Sequence, residues 1–220
     1  GIVTNPKVND TMDNNLIDLY DGKKDLRKKL IRTIGDPYKK MEEDALRILR
    51  AVRFATIFRF KLDNELKLAI IKNKHLLKNL SYERKKEELN KIFCSKYKKY
   101  GVKLINELGL CEELELKDLK YVLRTKDLIG IWAMITDVDY AFTKKEKDLI
   151  KKIKLVMNEN INDIFVKYKY GSYPISVVSD LKKLNTKKIM SNYEKLPIKD
   201  RDELNITVEE ICKLLGKAPD

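Results

Sequence analysis

Residues 42–54 read EEDALRILRAVRF, and this stretch decides how the chain is expected to fold. Its apolar side chains recur at spacings of three and four, which is the pattern of an amphipathic α-helix. At 100° per residue one arc of the helix is apolar, and it comprises Ala45, Ile48, Leu49, Val52 and Ala55. The stretch therefore predicts a helix over residues 38–60 that packs this face into a core.

The opposite face of the predicted helix carries Glu43, Asp44, Arg47 and Arg50, with Ala51 among them and Arg53 between the two faces. The choice of arginine is unusual here, because only nine of the 47 basic residues are arginine and six of those nine lie within residues 27–59. Lysine serves equally well in exposed ion pairs between helical turns, each worth about 0.2–0.5 kcal/mol. Arginine differs in its planar fork, which makes two parallel hydrogen bonds to a phosphate or a base edge. This local preference for arginine, in a chain that otherwise uses lysine, favours a binding role over a solvated face of ion pairs.

A carboxylate close to a guanidinium matches the pairing edge of two nucleobases. Cytosine and adenine each present an amine donor beside a ring-nitrogen acceptor, so Asp44 is suited to accept from the amine and Arg47 to donate to the ring nitrogen. Guanine and uracil invert this pattern, and an unpaired polar group costs about 1–3 kcal/mol when buried. The pair is thus chemically suited to accept C and A, although spacing alone does not establish this use.

Composition narrows the classes of partner and chemistry. The net charge is +13 and the pI is about 9.4, which favours a polyanionic partner such as nucleic acid; a general bias towards lysine is the alternative. Three dispersed cysteines and a single histidine, His75, argue against a structural zinc site, a disulfide framework or a histidine-based nucleophilic site. There is no visible signal peptide and no apolar run of about 18 residues, so we expect no membrane association.

The remainder of the chain is predicted to be mainly helical, with two short strands at the N-terminus. GIVTN (1–5) and NLIDLYDG (15–22) are short apolar runs flanked by turn residues, which is typical of strands. A short helix is expected within residues 23–34, a proline suited to a first helical turn follows, and Asp63 and Ser81 are predicted N-caps. Further helices are expected over 64–80, 82–93, 96–108, 117–136, 143–159, 161–170, 173–184, 186–195 and 207–216.

Three motifs, in order, resemble those of a known family. LIDLYDGKKDL (16–26), IRTIGDPYKKMEEDALRILRAVRFA (31–55) and SYERKKEELNKI (81–92) are similar to linked motifs of the class II tRNA nucleotidyltransferases. That family comprises CCA-adding enzymes, their CC- and A-adding relatives and bacterial poly(A) polymerases. LPIKDRDELNITVEEICKLLG (196–216) is similar to the family's C-terminal region. Between these parts the resemblance rests on helical character alone.

The resemblance implies a domain order of head, neck, body and tail. Residues 1–35 would be the last part of the head, with a short β remnant, and 36–95 a neck with the nucleotide-selecting helices. Residues 96–160 would form the body and 161–220 a tRNA-binding tail. The lysine-rich segments TKKEKDLIKKIK (143–154) and IFVKYKYGSYP (164–174) suit contacts to the tRNA backbone.

The same resemblance implies roles for individual residues. The Glu43-Asp44-x-x-Arg47 element matches a motif whose Asp and Arg act as an amino-acid template for the base of CTP or ATP, with Glu43 and Arg50 in support. A second group matches the motif at the head–neck hinge: Asp21, Gly22 and Asp25. A third group matches the motif that supports the template helix: Glu83, Arg84 and Glu88.

The family's catalytic motifs are not found in this sequence. A Gly-Ser…Asp-x-Asp motif that binds Mg²⁺ and an Arg-Arg-Asp motif would precede residue 1, so we expect the chain to be a fragment that is inactive alone. The resemblance implies a cytoplasmic enzyme with ATP, CTP, Mg²⁺ and tRNA; the oligomeric state, and whether C, A, CCA or poly(A) is added, stay open. The alternatives are a non-catalytic helical module that binds RNA or acts as an adaptor, and a protein-binding scaffold.

Overall fold

The helix predicted over residues 38–60 is in fact two helices that meet at Asp44. The computed structural model describes residues 18–199 together with Glu203 and Glu210, and places α2 at Pro37–Glu43 and α3 at Leu46–Phe58. Asp44 is extended (φ −153°, ψ 102°), and its carboxylate accepts a hydrogen bond from the Leu46 N–H at 3.0 Å. A short acidic side chain competes in this way for backbone donors. The continuous helical pattern therefore conceals a break that this aspartate creates.

The remaining elements are short and mostly helical, which confirms the predicted fold class. The other α-helices of the described residues are α1 Gly22–Lys28, α4 Asn64–Asn73, α5 Tyr82–Phe93, α6 Lys98–Glu107, α7 Leu128–Ile135, α8 Lys144–Met157, α9 Ile164–Tyr170, α10 Ser172–Leu181 and α11 Thr186–Glu194. Two 3₁₀ helices cover Lys74–Asn79 and Leu119–Leu123. Two parallel strands, β1 Leu30–Ile31 and β2 Lys61–Leu62, form a small sheet that the sequence did not predict.

The predicted caps are confirmed, whereas two of the predicted helices are wrong in part. Asp63 accepts from the Glu65 N–H and Ser81 from the Arg84 N–H, so each caps its helix. The helix predicted over 117–136 is interrupted, because Asp127 accepts from the Gly130 N–H at 2.7 Å and starts α7 as a new helix. A 3₁₀ helix likewise replaces the last part of the helix predicted over 64–80.

The predicted N-terminal strands lie largely outside the described residues, as does the helix at 207–216. The described part of NLIDLYDG is not a strand: residues 18–21 form a turn, and α1 begins at Gly22. The Asp18 carboxylate accepts from the N–H groups of Gly22 and Lys23 at 2.7 and 2.8 Å. These bonds also hold the pKa of Asp18 below its usual value. The aspartate that was assigned to a strand therefore caps a helix.

The chain divides into two compact units between Lys144 and Lys145. In the first unit α3 packs against α5 and α6, and α2 packs against α4. The apolar face predicted for this helix is confirmed for Ile48, Leu49, Val52 and Ala55, which are fully buried. Ala45, the fifth member, precedes α3 and is only half-buried. Ala51 is also buried, although the helical wheel placed it among the charges. A helix with neighbours on several sides buries a wider arc than one apolar stripe.

The close approach of α3, α5 and α6 depends on Gly101. A Cβ at this position would lie 2.6 Å from Ile92 Cγ2 and 2.7 Å from Thr56 Oγ1. Because such overpacking typically costs about 1–3 kcal/mol, Gly101→Ala should lower the free energy of unfolding of the first unit by that amount. Urea titration followed by circular dichroism would measure it. Gly35→Ala meets no atom within 4 Å, but its φ of +81° makes it a probe of backbone strain alone.

The described part of the second unit contains most of α8 together with α9, α10 and α11. α10 contacts α9 on one side and α11 on the other. Buried apolar side chains fill the space between them: Ile175, Val178, Leu181, Ile189 and Tyr193. No helix among the described residues is long and apolar enough to cross a membrane.

Candidate functional site

The break between α2 and α3 presents the Asp44 carboxylate at the start of α3. Asp44 Oδ1 accepts from the Leu46 N–H and lies 3.6 Å from a guanidinium nitrogen of Arg84, in the first turn of α5. Both contacts use Oδ1, so within the described part of the chain Oδ2 of the half-buried carboxylate is left available as an acceptor. A backbone donor and a cation together fix its orientation.

The two arginines of the same motif follow along α3. Arg47 and Arg50 are half-buried, and the buried Nε of Arg47 has no hydrogen-bond partner among the described residues. A buried donor without a partner costs free energy unless a ligand or water satisfies it. The structure thus places a carboxylate held by two contacts three positions before an arginine whose buried Nε lacks a partner among the described residues.

Among the described residues Glu43 makes no ion pair with Arg47, which a solvated face of ion pairs between helical turns would favour. It is the last residue of α2, and its carboxylate contacts Lys40 Nζ at 2.7 Å on the exposed surface. The ion-pair contact of Asp44 is with Arg84 rather than with Arg47. Both differences follow from the break, because spacings of three and four bring side chains together only within a continuous helix.

Two of the residues predicted to support the template lie against it. Arg84 contacts Asp44, and Glu88, one turn further along α5, accepts from Arg53 of α3 at 3.1 Å. Glu83 is exposed. The pair between α3 and α5 makes Arg53 a contributor that the predicted site omitted. The sequence does indicate Arg53, because it continues the three-residue spacing of Arg47 and Arg50.

The Arg53–Glu88 pair is almost buried, with side-chain exposures of 15% and 5%. Arg53 also lies over the Phe54 ring, with its guanidinium carbon 4.3 Å from the ring centre. Arg53 Nε and Glu88 Oε2 are buried and have no hydrogen-bond partner among the described residues. The pair therefore joins α3 to α5 through one hydrogen bond, while one nitrogen of Arg53 and one oxygen of Glu88 stay without a partner among the described residues.

The residues predicted for a hinge lie at the start of α1. Asp21 adopts a left-handed conformation (φ 57°) immediately before Gly22. Asp25 contacts Arg32 at 2.9 Å, and Arg32 also donates to the Tyr20 carbonyl. These contacts tie α1 to the segment after it. Within the described residues this group makes no hydrogen bond or ion pair with Asp44 or Arg47, so the hinge role stays a prediction.

Comparison with protein families identifies one region of the first unit. Residues 59–120 match the family model described as "Probable RNA and SrmB- binding site of polymerase A". Two bacterial proteins named "CCA-adding enzyme" match nearly the whole chain. The one from Bacillus subtilis is 31% identical over 94% of this chain and 60% of its own length. The one from Ligilactobacillus salivarius is 29% identical over 93% of this chain and 58% of its own length. The chain thus spans about 60% of the length of these relatives.

Solved structures show the same fold. The CCA-adding enzyme of Bacillus stearothermophilus in complex with CTP superposes with a TM-score of 0.76 at 21% identity, covering 93% of this chain and 60% of that one. A CCA-adding enzyme of Thermotoga maritima complexed with tRNA superposes with a TM-score of 0.61 at 18% identity, covering 93% of this chain and 59% of that one. At these identities the likeness concerns the fold.

Proposed function

The chain belongs to the class II tRNA nucleotidyltransferases, the family of the CCA-adding enzymes, and we propose that it selects the nucleotide in such an enzyme. In this proposal the protein adds C, A or both from CTP and ATP to the 3′ end of tRNA. Asp44 accepts from the exocyclic amine of the incoming base, and Arg47 donates to the neighbouring ring nitrogen.

The observation that carries this proposal is the state of the two side chains. Arg84 and the Leu46 N–H hold Asp44 by one oxygen and leave the other available. The Nε of Arg47 lacks a partner while buried. Fixed, unsatisfied groups of this kind discriminate between ligands strongly, because a ligand with the inverted pattern leaves them unpaired. Glu43 and Arg50 would assist from the two sides of the break.

The direct test is nucleotide incorporation by the full-length protein on three tRNA substrates, ending before CCA, after C and after CC. Incorporation of C on the first two and of A on the third would support CCA addition. Incorporation on only a subset would identify a CC- or A-adding enzyme, and homopolymeric A would identify poly(A) addition. Absence of any incorporation on all three would contradict the proposal.

The described part of the chain contains no cluster of side chains suited to bind Mg²⁺. Those residues contain no group of three or more His, Cys, Asp or Glu arranged to hold a metal ion, so no reaction step is assigned to a metal here. The Mg²⁺ that the family resemblance implies stays a prediction, as does the cytoplasmic location. CTP and ATP enter the proposal because relatives of the same fold are solved in complex with each of them.

The proposed RNA partner is tRNA, which suits the basic helices of the second unit. Lys145 and Lys151 of α8 are exposed, and each phosphate that a lysine neutralises adds about 0.9 to the salt slope on duplex nucleic acid. We also propose that residues 36–95, 96–160 and 161–220 act as neck, body and tail.

Replacing Lys151 with alanine should weaken tRNA binding equally for different tRNA sequences and reduce the salt slope by about 0.9. Fluorescence anisotropy across a salt series would measure both quantities. Lys24→Ala, which removes an exposed lysine of α1, is the charge-matched control. An unchanged slope for Lys151→Ala would exclude this lysine from the interface.

A second candidate function is a helical RNA-binding module without catalysis. The match of residues 59–120 to a model described as a probable RNA-binding site is the observation in its favour. The two functions separate experimentally, since tRNA binding without any incorporation of CTP or ATP by the full-length protein would favour the second.

A further inference from the structure

We propose that Tyr82 and Glu115 are positioning residues for base selection, because their hydrogen bond anchors the turn of α5 from which Arg84 reaches Asp44. This inference rests on the proposed function. It concerns two residues that the family motifs leave unassigned and that lie on the far side of α5 from the template.

The helix α5 has two opposed faces at this point. Arg84 and Glu88 lie on one side, where they contact Asp44 and Arg53 of the α2–α3 region. Tyr82 and Lys85 lie about 160° and 100° from Arg84 around the helix axis, at 100° per residue. The template is therefore held by one face of α5, and the position of α5 is set in part by the other.

The second face is anchored by a short hydrogen bond. The Tyr82 hydroxyl donates to Glu115 Oε2 at 2.5 Å, and this bond raises the pKa of Tyr82. Glu115 adopts a left-handed conformation (φ 50°), which is unusual for a residue with a side chain. The Thr136 hydroxyl donates to the Glu115 carbonyl at 3.0 Å and helps to hold this conformation.

Two buried groups strengthen the same anchor. Lys85 is almost fully buried, and its Nζ lies 4.6 Å from the centre of the Tyr82 ring. Burial lowers the pKa of Lys85, whereas the charge of Glu115 opposes that change. The Tyr140 ring is 5.0 Å from the Tyr82 ring, and its hydroxyl donates to the Leu114 carbonyl. The first turn of α5 is thus joined to Glu115 by a hydrogen bond and to Leu114 through the Tyr140 ring, while the contact of Lys85 with the Tyr82 ring lies within α5.

The anchor acts on selection through Arg84. Arg84 lies between Tyr82 and Lys85 in sequence, within the same helical turn, and its side chain is half exposed. Its guanidinium lies 3.6 Å from the Asp44 carboxylate, which is longer than a hydrogen bond. A small rotation or shift of this turn would therefore change how Arg84 orients the Asp44 carboxylate. Reacting and recognising groups depend on such support being held within fractions of an ångström.

The experiment combines conservative variants with a double-mutant cycle. Tyr82→Phe in the full-length protein should lower the ratio of kcat/KM for CTP over UTP about three- to tenfold. Glu115→Gln keeps an oxygen that can accept from the Tyr82 hydroxyl and loses only the charge, so it should lower the ratio less. In an Arg84→Ala background Tyr82→Phe should cause no further loss, because the anchor acts through Arg84. Tyr100→Phe is the matched control, since its hydroxyl donates to the Phe60 carbonyl at 3.0 Å in the same unit. It should cost similar thermal stability and leave the ratio unchanged.

The outcomes separate this inference from the proposed function. If Asp44→Ala changes the ratio and Tyr82→Phe does not, the inference is wrong and the template proposal stands. Independent, multiplicative losses from Tyr82→Phe and Arg84→Ala would likewise overturn it. If Asp44→Ala leaves the ratio unchanged, the template proposal and this inference fail together.

Discussion

Replacing Arg47 with alanine should reduce the preference of the full-length protein for CTP over UTP by about 10- to 100-fold. A hydrogen bond to a charged group contributes about 1.5–3 kcal/mol, and each 1.4 kcal/mol is a factor of ten. The change should leave the fold intact, because the buried Nε of Arg47 has no protein partner to lose among the described residues. Measuring kcat/KM for all four nucleotides on a tRNA ending before CCA would test it.

Two control variants separate recognition from folding. Arg59→Ala removes an exposed arginine immediately after α3 and should leave base preference unchanged. Asp44→Asn keeps an oxygen that can accept from the Leu46 N–H but removes the charge that faces Arg84. It should therefore retain the break between α2 and α3 while weakening the preference for C and A. Unaltered preference in both Arg47→Ala and Asp44→Ala would show that the base is selected elsewhere.

The sequence did not reveal how the predicted site residues are arranged, and their roles stay predictions. The arginine pattern and the family motif indicate Asp44 and Arg47, and a second family motif indicates Arg84. The break at Asp44 was missed, because a helical wheel assigns faces without testing whether the backbone continues. The cue was local, since an aspartate before an apolar run is also a favourable cap.

Long-range contacts were beyond what spacing could reveal. The strands β1 and β2 pair residues about thirty positions apart, with two residues in each, so neither shows an alternating pattern. Tyr82 and Glu115 are 33 positions apart and meet only because the loop before the 3₁₀ helix folds back onto α5. Caps such as Asp63 and Ser81 were predictable, because their hydrogen bonds join residues two or three positions apart.

Replacing Glu88 with alanine should lower the free energy of unfolding of the first unit by about 3 kcal/mol. Removing one partner of a buried ion pair leaves the other charge buried and uncompensated, which typically costs 3–5 kcal/mol. The 15% exposure of the Arg53 side chain places the expected cost at the lower end. Glu107→Ala is the control, because its pair with Lys103 is exposed and should contribute about 1 kcal/mol or less. Urea titration of each variant would compare them.

The double variant Arg53→Met/Glu88→Leu tests whether the Arg53–Glu88 pair contributes to stability or to nucleotide selectivity. Apolar residues of similar volume often replace a buried ion pair at no cost in stability, and the unsatisfied Arg53 Nε and Glu88 Oε2 weaken this pair further. We therefore expect stability close to that of the original protein, together with a lower preference for CTP over UTP, since an apolar contact fixes the orientation of α3 on α5 less strictly than a hydrogen bond. A double variant as unstable as Glu88→Ala would mean that the pair itself supplies net stability. One with full stability and full selectivity would mean that packing alone orients the template helix.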